Sequence, residues 1–186
     1  MRDKLEAGAT VADIGCGHGS STVLMAQAFP RSQFVGYDFH APSVAAAQTK
    51  ARDAKVGNAR FEVATAKEFA GSGFDLACIF DALHDMGDPV GAARHIRAAL
   101  KPGGTLMLVE PLAGDSLMEN LHLLGQIFYG FSTVACVPAS KAQEVGLALG
   151  AQAGEKRLSE VLREAGFTTV RRAASTDTNM VLEARA

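Results

Sequence analysis

The chain has no basic cluster. Its longest basic run is the pair Arg171-Arg172. The 18 Lys and Arg stand against 20 Asp and Glu, for a net charge of −2. A protein that grips nucleic acid carries a basic stripe or patch, so this chain is not expected to hold DNA or RNA by itself. Cysteine is scarce. Cys16, Cys78 and Cys136 are the three, and none sits in a C-x-x-C pair. Zinc-ribbon and dithiol redox chemistry are thereby set aside, and no metal site is expected. Cys16 and Cys78 read as small buried thiols. No apolar run approaches the ~20 residues that cross a bilayer. The opening MRDKLEAGAT lacks the apolar stretch of a signal peptide. No membrane partner and a cytoplasmic location are the expectations. No internal repeat occurs.

What is present is a core-forming composition, 48% hydrophobic and 20% charged over 186 residues. That fits one domain spanning 1–186. Short apolar runs alternate with helix-like stretches. The spacing predicts strands at Val11–Ile14, Gln33–Tyr37, Arg60–Ala64, Phe74–Phe80 and Thr105–Val109. Helices are predicted over Ser20–Phe29, Pro42–Lys55 and Pro89–Leu100. Pro42 suits a first helical turn. The unbroken apolar Phe74–Phe80 suits a strand covered on both faces. This rhythm predicts an α/β fold, a Rossmann-like, mostly parallel seven-stranded sheet with helices on both faces. After Glu110 the rhythm breaks, and 111–154 read as a helical insertion. A helix over Glu155–Ala165 follows. The last strands, Phe167–Arg171 and Asn179–Glu183, are joined too tightly for a parallel crossover. The last strand is therefore expected to be antiparallel.

The sharpest local signal is VADIGCGHG, Val11 to Gly19. A strand delivers Asp13, then Gly15, Gly17 and Gly19 recur at alternate positions. Glycines let the backbone turn tightly and approach a ligand. A dinucleotide loop wants its third glycine where Ser20 stands. Asp13 would also place negative charge beside a pyrophosphate, whereas it suits a ligand with a cationic amino-acid end. Asp38, closing the second strand, can accept both hydroxyls of a ribose. Phe39 after it can pack on an adenine.

The glycine stretch resembles motif I of the class I S-adenosylmethionine-dependent methyltransferases. The resemblance implies S-adenosylmethionine as cofactor. It places Gly15, Cys16 and Gly17 beneath it and Asp13 near its methionyl end. The family often has an acidic or amide residue after the third strand. Here that region reads Ala64-Thr65-Ala66-Lys67, which leaves adenine recognition to Thr65 or to backbone groups around Ala66. The segment from Phe74 to Pro111, FDLACIFDALHDMGDPVGAARHIRAALKPGGTLMLVEP, resembles the small-molecule O-methyltransferases with their LHDW element and L-K-P-G-G turn. Met86 stands where plant-type members carry Trp. Methylases of exocyclic base amines carry an Asp/Asn-Pro-Pro-aromatic element where this chain has Phe80-Asp81-Ala82-Leu83. Phe80 and Asp81 are counted with the cofactor-binding residues.

The cofactor supplies an electrophilic methyl group. A hydroxyl acceptor attacks it faster once a base takes its proton, and histidine suits that near neutral pH. His84 follows the fourth strand and Glu110 ends the fifth, both at the carboxyl edge of the sheet. A carboxylate can hold the imidazole tautomer and stabilise its protonated form. The resembling enzymes use a histidine and a glutamate at these positions. His84 as base and Glu110 as its partner are the expected catalytic pair, acting on a small-molecule hydroxyl.

The insertion carries apolar residues from Leu117 to Phe131 at helical spacing, and is expected to be a lid over an apolar acceptor. The first strand begins only ten residues from Met1, whereas the resembling enzymes carry a helical or winged-helix front region that dimerises. The chain is therefore expected to lack an N-terminal domain, to expose apolar surface at the insertion and to be capable of forming a homodimer. Two other readings stay open. One is a cofactor-sensing module of a transcriptional regulator. The other is methyl transfer to carbon or nitrogen, which needs no strong base.

Overall fold

The computed structural model describes all residues, 1–186. Five parallel strands form first: β1 (Thr10–Ile14), β2 (Gln33–Asp38), β3 (Ala59–Val63), β4 (Phe74–Phe80) and β5 (Leu100–Pro111). A closing hairpin, β6 (Thr169–Ser175) and β7 (Asn179–Arg185), completes the sheet in the order β3-β2-β1-β4-β5-β7-β6. Only β7 runs against the others, paired antiparallel to both β5 and β6. The predicted sheet and its reversed last strand are both present. The predicted strand starting at Thr105 begins earlier, because Phe74 already pairs with Leu100 across an irregularity.

Alternation of side chains decides what covers each face. On β1, Ala12 and Ile14 join Val35 and Tyr37 of β2 and Ala77 and Ile79 of β4 in the larger core. Two helices close that core, α4 (Pro89–Ala99) through Ala93 and Ile96, and α7 (Glu155–Glu164) through Leu158, Val161 and Leu162. Val11, Phe34, Leu76 and Cys78 face the other way, onto Leu5 and Ala26. Those two residues belong to α1 (Arg2–Ala7) and α2 (Ser20–Ala28). Helix α3 (Ala41–Asp53) adds Val44, Ala47 and Ala51 around Phe61. Helix α1 was not legible in MRDKLEAGAT. It is short, and only Leu5 within it is buried.

Gly19 caps α2 in the left-handed region, φ 72°. A Cβ there would meet Phe61 Cε1 at 2.6 Å and Ala47 Cβ at 2.7 Å. Gly19→Ala combines a disfavoured φ with a clash against core atoms. We expect it to lower stability by about 2–4 kcal/mol, read as a fall in denaturation midpoint. An unchanged midpoint would refute the close approach.

The insertion is helical, as predicted. Helix α5 (Leu123–Phe131), a π-helical stretch Ser132–Cys136 and α6 (Val137–Lys141) form one run of 19 residues. By length and composition this helix could cross a membrane, which corrects the expectation that no segment approaches that length. Gln126, Ser132 and Thr133 interrupt the apolar pattern in sequence without interrupting the helix. Ser132, Cys136 and Ser140, four residues apart, form its buried seam. Ser132 Oγ accepts from Ala151 N (2.8 Å), and Ser140 Oγ donates to Met86 O (2.9 Å). The opposite side leaves Leu123, Phe131 and Val134 exposed.

Candidate active site

The strand order turns back between β1 and β4, where open α/β sheets bind ligands at the carboxyl edge. A cavity of about 660 Å³ lies there, within the range of small-molecule sites. Its wall includes Gly15, Asp38, Phe39, Thr65, Ala66, Ala82, Asp85 and Met86. A more open hollow of about 390 Å³ between the insertion and α7 holds none of the expected site residues.

The glycine loop shapes the floor. Gly15 has φ 71° and leaves only 2.9 Å between an added Cβ and that of Ala82. Asp38 Oδ2 accepts from Gly17 N at 2.9 Å, and its Oδ1 accepts from His40 N at 2.9 Å. The loop and the end of β2 are thus tied together, and each carboxylate oxygen retains acceptor capacity. Phe39 stands 74% exposed on the cavity wall. Thr65 lines the cavity too, but its hydroxyl donates to Glu68 Oε2 at 3.0 Å.

Other expected residues stand behind the wall. Asp13, expected near the methionyl end, is 1% exposed and turned under the loop. Its Oδ2 accepts from Ser21 Oγ (2.7 Å) and Thr22 Oγ1 (2.6 Å), while Oδ1 has no hydrogen-bond partner. Burial pushes this carboxyl above its ordinary range. Cys16 is buried beneath Gly36, and burial pushes its thiol far up. Gly17 contributes its N–H to Asp38. Cys16, Gly17, Phe80 and Asp81 are not among the lining residues. Asp81 holds a left-handed φ of 49° and accepts from Asn179 Nδ2 at 2.8 Å. Such strain in a non-glycine residue costs roughly 1–3 kcal/mol and clusters at functional sites.

His84 and Glu110 are brought together as expected. His84 is 5% and Glu110 1% exposed. His84 Nδ1 contacts Glu110 Oε2, and Leu83 N donates to Glu110 Oε1 at 2.9 Å. With Nδ1 donating, Nε2 keeps its lone pair. That nitrogen lies 3.4 Å from Asp85 Oδ1. Burial pulls the imidazole pKa down, but Glu110, Asp85 and Asp81 outweigh it and hold it above the ordinary histidine value. Burial raises Glu110. His84 itself is not on the cavity wall; its neighbours Asp85 and Met86 are. His40 and His122 make local hydrogen bonds to Ser43 and Gly125 N, and His95 bonds the more distant Phe69 O.

Sequence reasoning missed the rim. Lys67 bridges Asp88 (3.0 Å) and Glu144 (2.9 Å). Gln143 accepts from Gly87 N (3.0 Å) and donates to Asp85 O (2.9 Å). Lys67, Asp85, Ala139 and Gln143 all line the cavity. No motif marks Gln143, whose partners on the turn, Gly87 and Asp85, lie more than fifty residues away.

Residues 5–166 match the family model described as "Methyltransferase domain". The chain belongs to that family, whose cofactor here is S-adenosylmethionine. It is 35% identical over 113 residues to a trans-aconitate 2-methyltransferase of Deinococcus radiodurans, covering 61% of this chain and 42% of that protein. Its fold superposes on mitomycin 7-O-methyltransferase with a TM-score of 0.75 at 21% identity, covering 98% of this chain and 50% of that one. Human N-acetylserotonin methyltransferase in complex with SAM gives 0.73 at 19%, covering 95% and 47%. The chain thus spans about half the length of these relatives.

Proposed function

We propose that the domain transfers the methyl group of S-adenosylmethionine to a hydroxyl oxygen of a small molecule, with His84 as general base. The observation that carries this reading is the buried His84–Glu110 pair beside the cofactor cavity, with Nε2 left as the acceptor. The cavity fits the cofactor chemically. Asp38 offers carboxylate oxygens to a ribose, Gly15 lets the backbone pass close beneath, and Phe39 offers a ring to the adenine. Asp13 Oδ1, unpartnered under the loop, supplies negative charge on the side where a cationic methionyl end would lie.

When bound, the cofactor supplies an electrophilic methyl on a sulfonium. The chain must hold the acceptor in line and take its proton. Asp85 joins the His84 ring to the cavity wall, and Glu110 fixes the tautomer and stabilises the imidazolium that forms. The insertion, clasped to the rim by Gln143 and Lys67, acts in this reading as a lid.

The pH profile tests it. Catalysis needs neutral imidazole, so turnover falls as pH drops through a raised His84 pKa. The groups around the ring are Glu110 from β5, Asp81 and Asp85 after β4, and Cys136 from the insertion. Glu110→Gln removes the main raising influence and leaves burial in place. The acidic limb should then move to lower pH while the plateau rate falls. Turnover would be followed with labelled S-adenosylmethionine and a panel of phenols and alcohols. An unmoved limb, or transfer to amines alone, would overturn the reading. Transfer to nitrogen or carbon has one observation in its favour, the seat of His84 behind Asp85 rather than on the wall.

A further inference from the structure

Three donor atoms converge where the insertion meets the turn after β4. A ring nitrogen of His84, a carboxylate oxygen of Asp85 and Sγ of Cys136 lie within 4.8 Å of one another. The ring nitrogen facing this corner is Nε2, because Nδ1 is held by Glu110. Asp85 Oδ1 is buried and has no hydrogen-bond partner. Nε2 and Asp85 Oδ1 face each other at 3.4 Å. A proton on Nε2 or a metal ion between them would satisfy both atoms.

The donors match one class of ion. Imidazole, carboxylate and thiolate together suit a borderline divalent cation such as Zn2+. Zinc bonds of about 2.0–2.3 Å put tetrahedral ligand atoms roughly 3.3–3.8 Å apart. The Nε2–Oδ1 separation already falls in that interval, and the Sγ contacts need a side-chain shift of about 1 Å. Metal-bound histidine usually donates its second nitrogen to a carboxylate, which orients the ring. Glu110 occupies that place, and Leu83 N holds its other oxygen. Three protein ligands leave a fourth position open.

We propose that His84, Asp85 and Cys136 form a Zn2+-binding site that clamps the insertion helix onto the catalytic turn. On binding, the Cys136 S–H proton passes to solvent and a zinc–sulfur bond forms, with no redox change. Zinc also takes the Nε2 lone pair. If His84 is the general base, a consequence that rests on the proposed function, zinc inhibits methyl transfer by occupying it.

Binding is read without turnover, so its failure is distinct from failure of the catalytic reading. Cobalt(II) titrated into the full chain should bind one to one. It should give a thiolate-to-cobalt charge-transfer band and visible tetrahedral bands, both displaced by Zn2+. Cys136→Ser should abolish the charge-transfer band, although Cys16 and Cys78 remain. Asp85→Asn should keep the band and weaken binding at least tenfold. Glu110→Gln should weaken it about 10–100-fold. A second measurement needs no variant: Zn2+ should slow alkylation of Cys136, followed by mass spectrometry, at least tenfold. Absence of the band, its persistence in Cys136→Ser, or alkylation indifferent to Zn2+ would overturn the site.

Discussion

Replacing His84 with alanine is expected to lower kcat on a hydroxyl acceptor about 10²–10⁴-fold, the usual scale for loss of a positioned base. That range corresponds to roughly 2.7–5.5 kcal/mol of barrier. Affinity for S-adenosylmethionine should stay nearly constant if it binds as proposed, because His84 is not on the wall of the cavity. A fall in kcat and kcat/KM together, with cofactor binding kept, marks an interaction made only in the transition state. The variant also strands Glu110, a carboxylate 1% exposed that would lose its imidazole partner. Uncompensated burial costs several kcal/mol, so stability should fall as well. His84→Gln separates the two effects. Its amide can still donate towards Glu110 but cannot take a proton near neutral pH. It should recover much of the stability and none of the rate. Full activity in either variant would remove the base and move the weight to transfer onto nitrogen or carbon.

The sequence made legible those features that depend on local chemistry. The period-2 and period-3.6 patterns located the seven strands and four of the helices, because burial on one or both faces repeats at those spacings. The short Ser175–Asp177 link revealed the antiparallel closure, since a parallel crossover needs far more chain. His84 and Glu110 could be paired because each follows or ends an adjacent strand at the same edge, and β4 and β5 do run side by side. The depth at which Asp13 sits was not legible, for a reason of a different kind. A strand residue two positions before a turn points to one face or the other, and Ser21 and Thr22 of α2 draw it under the loop. Asp85, Cys136 and Gln143 were not read as site residues. Their roles come from the way the insertion folds back onto the turn, and no spacing in sequence encodes that contact. The long helix was misjudged because small polar residues read as interruptions, yet Ser132 and Ser140 are its points of attachment to the core.

Asp38→Ala should weaken S-adenosylmethionine or S-adenosylhomocysteine binding by about a hundredfold or more. Two charge-assisted hydrogen bonds to ribose hydroxyls contribute roughly 1.5–3 kcal/mol each, and a hundredfold change in Kd is about 2.8 kcal/mol. The same carboxylate accepts from Gly17 N and His40 N. Its removal therefore also frees the glycine loop, and the cofactor must order that loop on binding. Asp38→Asn isolates the charge, since the amide oxygen can still accept one of these bonds while its nitrogen cannot. It should fall between wild type and alanine. Calorimetry gives the affinities directly, and thermal melts provide an independent check. At a cofactor concentration near 100 Kd of the wild type, binding stabilises the fold by about 2.7 kcal/mol. A variant weakened a hundredfold gains only about 0.4 kcal/mol at that concentration, so its melting temperature should scarcely respond. A variant that binds as tightly as wild type, with an undiminished melting response, would place the ribose elsewhere. The cavity beside Gly15 and Phe39 would then need a different ligand pose.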